Sequence, residues 1–180
     1  MFYLFLADGF EDVEALAPLD VMRRAGIHVE VLGIGNNVIK SSHNVNFVCD
    51  RSCAGLVFDE SLDGVILPGG MPGTKNLENN IAVKGAVDYC YKNDKLICAI
   101  CAAPSILGHM GILKGRKAVC YPGFEDELNG AEISGEPVVR DGNIITAKGM
   151  GVAVDFGLEI ISAFLGEDTA KRIAKQIQKQ

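Results

Sequence analysis

The stretch KLICAICAAPSILG, residues 95–108, carries two cysteines whose spacing could support redox or nucleophilic chemistry. Cys98 and Cys101 have the C-x-x-C spacing of thioredoxin-like motifs. However, the apolar run LICAI follows a charged segment, which predicts a buried strand. Residues three apart on a strand point to opposite faces and lie roughly 10 Å apart, whereas a disulfide needs Cα atoms within about 7 Å. The pattern therefore disfavours a bridge between these two cysteines.

Cys101 lies where this strand gives way to AAPSILGHMG, which has small residues, a proline and then helical spacing. This order predicts a strand–turn–helix with Cys101 in the turn, as in the nucleophile elbow of α/β-hydrolases. A helix start stabilises negative charge through its unpaired amides and its dipole. We therefore expect the Cys101 thiol to ionise more easily than a free cysteine, whose pKa is about 8.5. The alternative is that Cys101 is a small buried apolar residue.

Glu14 is the second candidate, on a helix predicted over residues 12–25 and ended by Gly26. At 100° per residue, it falls within an apolar arc. The arc consists of Phe10, Val13, Ala17 and Val21. Asp20, at the edge of the arc, can pair with Arg24, but Glu14 has no local cation. Burial without a partner raises the pKa of a carboxyl, and a protonated carboxyl could donate to a thiolate. The alternative is a slightly rotated helix with Glu14 in solvent.

The loop LPGGMPGTKN, residues 67–76, is the third candidate. Gly69 and Gly70 follow a predicted strand, and their backbone permits close approach and free amides that could hold an anion. The loop lacks the lysine of a phosphate-binding P-loop. By itself it indicates a turn more strongly than a site.

Strands alternate with helices along the chain, which predicts a mostly parallel sheet with helices on both faces. The predicted strands are 2–7, 27–34, 64–68, 96–100 and 117–121; the predicted helices are 12–25, 82–92, 152–166 and 168–180, besides the helix after Cys101; the predicted hairpins are 38–50 and 137–149, the second turning at Asp141–Gly142. In such sheets, functional groups gather beyond the carboxyl ends of the strands. We therefore expect LADGFE, LPGGMPG and AICAAP to meet there.

Composition and length restrict the classes of function. A chain of 180 residues predicts one domain over 1–180. A net charge of −6 without a basic cluster argues against binding to nucleic acid. The opening MFYLFLADGFED has no basic leader and is too short to span a bilayer, so we expect a first strand, no membrane partner and a cytoplasmic protein with six reduced cysteines. The histidines are scattered, so no metal site is expected.

Four stretches in combination resemble the ThiJ/PfpI family, in its protein deglycase branch. They are LADGFEDVEALAPLDVMRRAG, VILPGGMPGTKNL, AICAAPSIL and GMGVAVDFGLEII. The resemblance covers nearly the whole chain and implies a flavodoxin-like α/β sandwich that is usually a homodimer. It assigns a reactive cysteine to Cys101, its protonated carboxyl partner to Glu14, and oxyanion-binding amides to Gly69, Gly70 and Ala102.

The sequence departs from many members of that family in its histidines. Ala102 directly follows the cysteine, and Tyr121 stands where some relatives have histidine. His109 lies in the predicted helix after Cys101, where we expect a structural role. Cysteine nucleophiles normally use a base, and no histidine follows His109. Protease and amidotransferase activities are therefore disfavoured.

The resemblance implies two classes of function. In the first, an enzyme without cofactor or metal, Cys101 attacks a small dicarbonyl such as methylglyoxal, and Glu14 moves a proton as the adduct rearranges towards a hydroxy acid. This is glyoxalase or deglycase chemistry. In the second, a stress sensor or chaperone, Cys101 is oxidised to a sulfinate that Glu14 and the amides stabilise. We take the enzyme as the first hypothesis and the sensor as the alternative.

Overall fold

A computed structural model describes residues 1–179 and contains one seven-stranded sheet flanked by helices. The strands are β1 (Phe2–Leu6), β2 (Val29–Gly33), β3 (Val38–Lys40), β4 (Asn46–Val48), β5 (Arg51–Ser52), β6 (Gly64–Leu67), β7 (Leu96–Ile100), β8 (Lys117–Ala118), β9 (Glu132–Ile133), β10 (Val138–Asp141) and β11 (Ile144–Ala147). The helices are α1 (Asp12–Arg24), α2 (Gly73–Glu78), α3 (Ile81–Lys92), α4 (Pro104–His109), α5 (Ala153–Leu165) and α6 (Glu167–Gln176), with 3₁₀ turns at Glu125–Glu127 and Met150–Val152.

The sheet order is β10-β11-β7-β6-β1-β2-β5, and every pairing is parallel except β10 with β11. Helices cover both faces of the sheet, so the central strands are continuous apolar runs and do not alternate between apolar and polar residues. Leu4 and Leu6 of β1 pack towards α1, α5 and α6, whereas Tyr3 and Phe5 pack towards α2, α3 and α4. The predicted mostly parallel α/β architecture is confirmed.

Helix α1 buries a different face from the predicted arc. Its Pro18 packs on α5 at Gly157, where an added Cβ would lie 2.8 Å from the Pro18 Cα. This close approach fixes the rotation of the helix. Val13, predicted to be in the apolar arc, is therefore 42% exposed. The buried face is centred on Pro18 and Met22 instead, and Glu14 lies towards one edge of it. The buried residues are Glu14, Ala15, Pro18, Leu19, Val21 and Met22. The Asp20–Arg24 ion pair is confirmed, at 2.8 Å.

The segment predicted as a strand over 117–121 is only partly a strand. β8 ends at Ala118 and pairs with β9 in a separate two-stranded sheet. The Val119 amide donates instead to Thr146 Oγ1 at 3.0 Å, and the Tyr121 amide donates to the Cys101 carbonyl at 2.8 Å. These bonds draw the chain across the carboxyl ends of β7 and β11, where it borders the Cys101 turn.

Other segments follow the predictions with local differences. Both predicted hairpins form antiparallel pairs, β3 with β4 and β10 with β11. The glycine-rich loop contains the unpredicted short helix α2. An added Cβ at Gly73 would lie 2.6 Å from the Phe10 amide nitrogen, so a tertiary contact requires glycine at this helical position. The predicted last helix ends at Gln176, and its final residue, Gln180, lies outside the described residues.

The helices of the described chain are short. The longest, α1 and α5, have 13 residues each, whereas a membrane-spanning helix needs about 20 apolar residues. Within residues 1–179, no helix combines the length and the apolar character needed to cross a membrane.

Candidate functional site

Cys101 occupies a sharp turn directly after β7. Its φ of 65° lies in the left-handed region, which costs energy for a residue with a Cβ. The backbone of the turn is held at both sides, because the Cys101 amide donates to the Ala147 carbonyl at 2.9 Å and the Cys101 carbonyl accepts from the Tyr121 amide. The predicted strand–turn–helix around Cys101 is confirmed, and the role of Cys101 as a nucleophile stays a prediction. Helix α4 begins only at Pro104 and has six residues, so the sulfur does not lie directly at a helix start as predicted.

The two cysteines of the C-x-x-C motif lie in different environments. Cys98 is fully buried within β7 and packs in the core between the sheet and α1, α5 and α6. Cys101 is half-buried, whereas the other five cysteines are buried, and all six are free thiols. The structure thus contains no Cys98–Cys101 disulfide, as the strand geometry predicted.

Glu14 is buried beneath the Cys101 turn, with an exposed fraction of 1%. Its Oε2 accepts a hydrogen bond from the Gly69 amide at 3.0 Å. The carboxyl group also accepts from the Met150 amide and is hydrogen-bonded to the Cys101 side chain. The alternative of a solvated Glu14 is wrong. The first turn of α1, which follows β1, and the residues that follow β6 and β7 meet at this one pair, as predicted for the ends of these three strands.

Two contacts at this pair had no specific sequence signal. The Met150 amide that bonds to Glu14 comes from the loop after β11, a segment predicted only to leave a hairpin. Gly149 lies beside it, and an added Cβ there would lie 3.6 Å from Glu14 Oε1. The glycines on either side of Met150 in GMGV were the one available hint.

Gly69 is required by the close approach of the two functional side chains. An added Cβ at this position would lie 2.6 Å from Cys101 Cβ and 2.6 Å from Glu14 Oε2. Because its amide donates to Glu14, Gly69 orients the carboxyl. The amides of Ala102 and Gly70 hydrogen-bond to Cys101 instead. These two amides favour a negatively charged sulfur, and binding of an oxyanion by this loop stays a prediction.

Burial controls the protonation of the pair. It raises the pKa of Glu14 to about 7, and the nearby Glu11 carboxylate adds to the effect. Burial and the charge of Glu14 also raise the pKa of the Cys101 thiol. The expectation of an easily ionised thiol is therefore wrong, because burial, the larger cause, acts whatever the charge of Glu14. When the pair holds one proton, these shifts place that proton on the sulfur, while the amides of Ala102 and Gly70 act in the opposite direction by lowering the pKa of the thiol.

The buried carboxyl predicts a pH-dependent stability. Its folded pKa of about 7 exceeds the ordinary value of 4.5, so the folded protein holds a proton that the unfolded chain releases. The resulting stability is complete below pH 4.5 and is lost as the pH rises to 7. From the linkage relation, Glu14 should make the free energy of unfolding fall by about 3 kcal/mol across this range.

Urea unfolding at pH 5 and pH 7.5 measures this effect, with Glu14→Gln as the reference. The glutamine variant keeps the size of the side chain but cannot titrate, so its stability should change less over the same range. Equal pH dependence in the two proteins would contradict a raised pKa at Glu14.

His109 and Tyr121 have different environments. His109 Nδ1 lies 2.5 Å from Glu78 and its Nε2 lies 2.7 Å from Glu127, so both ring nitrogens are engaged by carboxylates. Both contacts raise the pKa of His109, and the contact with Glu127 makes the larger contribution. His109 thus ties α4 to α2 and to the 3₁₀ turn at Glu125–Glu127, which agrees with a structural role. Tyr121 is 52% exposed and borders the pair, since its Cδ2 lies 3.3 Å from the Cβ position at Gly149.

One group of side chains in the described chain has the spacing of metal ligands. Glu11, Asp12 and His43 place ligand atoms within 4.8 Å of one another. However, Glu11 caps α1 by accepting from the Glu14 amide at 2.7 Å, and Asp12 is hydrogen-bonded to His43 Nδ1 at 2.8 Å. The positive end of the helix dipole also opposes a cation here. We assign no metal role to this group.

Comparison with known proteins identifies the family. The model of the DJ-1/PfpI family matches residues 2–163. The chain belongs to the DJ-1/PfpI family. Within this family, the chain is similar to protein dj-1beta of Drosophila melanogaster, with 35% identity over 175 residues that cover 96% of this chain and 93% of that protein. It is 36% identical over 174 residues to the Parkinson disease protein 7 homolog of Danio rerio, and the match covers 94% of this chain and 92% of that protein.

Solved structures of DJ-1/PfpI proteins show the same fold. The crystal structure of Drosophila melanogaster DJ-1beta has a TM-score of 0.94 and 34% identity, and the match covers 99% of this chain and 97% of that one. The structure of oxidized Toxoplasma gondii DJ-1 has a TM-score of 0.93 and 31% identity, and the match covers 98% of this chain and 97% of that one. The resemblance to the ThiJ/PfpI family and the flavodoxin-like α/β fold that it implied are both confirmed.

Proposed function

We propose that this DJ-1/PfpI protein is a stress-response enzyme that converts small reactive dicarbonyls by glyoxalase or deglycase-type chemistry. One observation carries the proposal: a buried carboxyl whose pKa is raised to about 7 is hydrogen-bonded to the side chain of a half-buried cysteine in a strained turn. A group that titrates near neutral pH is suited to giving and taking protons. Cys101 is the nucleophile and Glu14 is the acid and base.

The first step forms a covalent adduct. The Cys101 thiol gives its proton to the Glu14 carboxylate as the sulfur attacks the aldehyde carbon of methylglyoxal, and a C–S bond forms as the carbonyl π electrons move to oxygen. The protonated Glu14 carboxyl gives its proton to that oxygen, which yields a neutral hemithioacetal and a Glu14 carboxylate. The amides of Gly70 and Ala102 hydrogen-bond to Cys101, so they favour negative charge on the sulfur as its proton leaves.

The second step is an internal redox reaction. The Glu14 carboxylate takes the proton from the former aldehyde carbon, the electrons of that C–H bond form a carbon–carbon double bond, and the π electrons of the ketone move to its oxygen to give an enediolate. Glu14 then returns the proton to the neighbouring carbon, while the hydroxyl proton on the first carbon passes through solvent to the second oxygen. The first carbon is oxidised and the second is reduced, so the product is a thioester of a hydroxy acid. Water cleaves its C–S bond and releases lactate and the thiol.

Formation of lactate from methylglyoxal tests this proposal. The wild-type protein should produce lactate, and Cys101→Ser should reduce the rate to the background. Cys53→Ser is the matched control, because Cys53 is a buried free thiol with no place in the proposed mechanism. Lactate formation by Cys101→Ser at the wild-type rate would contradict the proposal.

A second candidate function is an oxidative sensor or redox chaperone. The environment of Cys101 supports it, since two amides and a proton donor can stabilise a charged oxidation product. A DJ-1 relative from Toxoplasma gondii has been solved in an oxidized form. In this function, the thiolate reduces two molecules of peroxide to water and becomes a sulfinate.

Cys101 should be the first of the six thiols to be oxidised by peroxide. It is half-buried, while Cys49, Cys53, Cys90, Cys98 and Cys120 are buried, and reactivity follows access and thiolate character. Mass mapping of peptides after peroxide titration should show two added oxygens at Cys101 before any other site is modified. Faster oxidation of Cys49 or Cys53 would contradict the assignment of the site.

We further propose a cytoplasmic homodimer, which the family resemblance implies. Apolar side chains left exposed on α1 and on the β3–β4 hairpin support a partner surface. They are Val13, Val38, Val45 and Val48. Sedimentation at micromolar concentration should give about twice the chain mass, whereas a mass near 19.2 kDa would contradict a dimer.

A further inference from the structure

A cavity of about 300 Å³ lies beside the Cys101–Glu14 pair, and the chemistry proposed above does not use it. Two segments form its walls, the one that begins at Tyr121 and the one that follows β11. The lining residues are Tyr121, Pro122, Lys148, Gly149, Met150, Gly151 and Val152. Gly149, which lines the cavity, also borders the pair, because its Cβ position lies 3.9 Å from Cys101 Cβ and 3.6 Å from Glu14 Oε1.

The walls of this cavity are mainly carbon. Tyr121 contributes an aromatic ring, and Met150 and Val152 contribute aliphatic surface. The one charged lining residue is Lys148, whose ammonium is engaged by the Gly135 carbonyl at 2.5 Å. Met150 is 54% exposed. A large apolar surface is therefore uncovered next to a polar pair of reacting groups, which is the arrangement that binding sites for small molecules share.

The size of the cavity bears on the substrate. The aldehyde carbon must lie against the Cys101 sulfur, so the group on the neighbouring ketone carbon has to extend away from the pair. Glyoxal has only a hydrogen at that carbon and methylglyoxal only a methyl group, and either would leave most of about 300 Å³ unfilled. Burial of additional apolar surface stabilises a bound molecule in proportion to the area removed from water.

We infer that this cavity receives the substituent on the ketone carbon of a 2-oxoaldehyde, and that Met150 determines the preference for a bulky apolar substituent. The inference rests on the proposed function and specifies its substrate class. The enzyme then favours aryl or branched alkyl glyoxals over glyoxal itself. Met150 acts through side-chain packing, distinct from the hydrogen bond that its amide makes to Glu14.

The test compares phenylglyoxal with glyoxal, measuring mandelate and glycolate as products. Because the two substrates differ in intrinsic reactivity, the informative quantity is the ratio of their kcat/KM values in each variant. Met150→Ala removes part of the apolar wall and should lower the phenylglyoxal-to-glyoxal ratio about 10-fold, within the range for apolar pockets. Met150→Leu keeps a similar volume and should retain the wild-type ratio within about 2-fold.

The controls separate this inference from the proposed function. Ile81→Ala removes another exposed apolar side chain that lies outside the cavity, and its ratio should match the wild type. If neither 2-oxoaldehyde is converted faster than by Cys101→Ser, the proposed function fails. If conversion depends on Cys101 but Met150→Ala keeps the wild-type ratio, the cavity inference alone is wrong. Circular dichroism of both Met150 variants should match that of the wild type, because this side chain is exposed.

Discussion

Replacing Glu14 with glutamine should lower the turnover of methylglyoxal by about 10²–10⁴-fold, the usual contribution of a general acid–base group. Glutamine fills the same buried space and can still donate a hydrogen bond to the Cys101 sulfur. It cannot release a proton to the adduct or remove one from the neighbouring carbon. Oxidation of Cys101 to the sulfinate should therefore persist in this variant, while the dicarbonyl reaction is almost lost.

Two further variants sharpen this experiment. Glu14→Asp withdraws the carboxyl by about one carbon–carbon bond, so it should weaken the contact with sulfur and disturb both turnover and sulfinate formation. Asp20→Asn removes the same charge from the exposed side of α1 and serves as the matched control. A pure sensor would show normal sulfinate formation in Glu14→Gln and no dicarbonyl turnover in any variant. If neither Glu14 variant changes either quantity, the mechanism is wrong.

Gly69→Ala should disable the site through crowding. The new methyl group would lie 2.6 Å from both Cys101 Cβ and Glu14 Oε2, which is far inside contact distance, so the two functional groups must move apart. Overpacking of this kind lowers the free energy of unfolding by about 1–3 kcal/mol. A displacement of about 1 Å in a reacting pair can lower the rate about 10²-fold, so we expect at least that loss of methylglyoxal turnover.

Gly135→Ala is the matched control for this variant. Gly135 is exposed, and an added Cβ there meets nothing within 4 Å, so its turnover and stability should remain close to those of the wild type. Lactate assays and urea unfolding measure both quantities. Wild-type turnover in Gly69→Ala would show that the close contact between β6 and the Cys101 turn is not needed for the reaction.

The sequence alone determined the framework of this protein. Alternating apolar strands and amphipathic helices are local patterns, and they were sufficient for the parallel sheet and for both hairpins. The change from the LICAI run to AAPSIL marked the Cys101 turn, because a strand, a turn and a helix differ in local spacing and in proline use. The same local reasoning disfavoured a disulfide between Cys98 and Cys101.

Several features depended on tertiary contacts that no local pattern contains. The face that α1 buries was predicted with Val13 inside, whereas packing of Pro18 against Gly157 of α5 rotates the helix, exposes Val13 and still buries Glu14. The strand predicted over 117–121 was shortened because Thr146 and Cys101 take its backbone hydrogen bonds. These partners lie 20 or more residues away along the chain, so sequence spacing could not indicate them.

The properties of the site were likewise predicted in part from the sequence and determined in part by the tertiary structure. The sequence placed Glu14, Gly69 and Cys101 at the ends of separate segments, and the rule for parallel sheets brought those ends together. Only the tertiary structure decided the protonation of the pair. Helix-start reasoning predicted an easily ionised thiol, but burial and the adjacent Glu14 charge raise the pKa of Cys101. A pKa depends on desolvation and on neighbouring charges, and both are set by the packing of segments that are distant in the sequence.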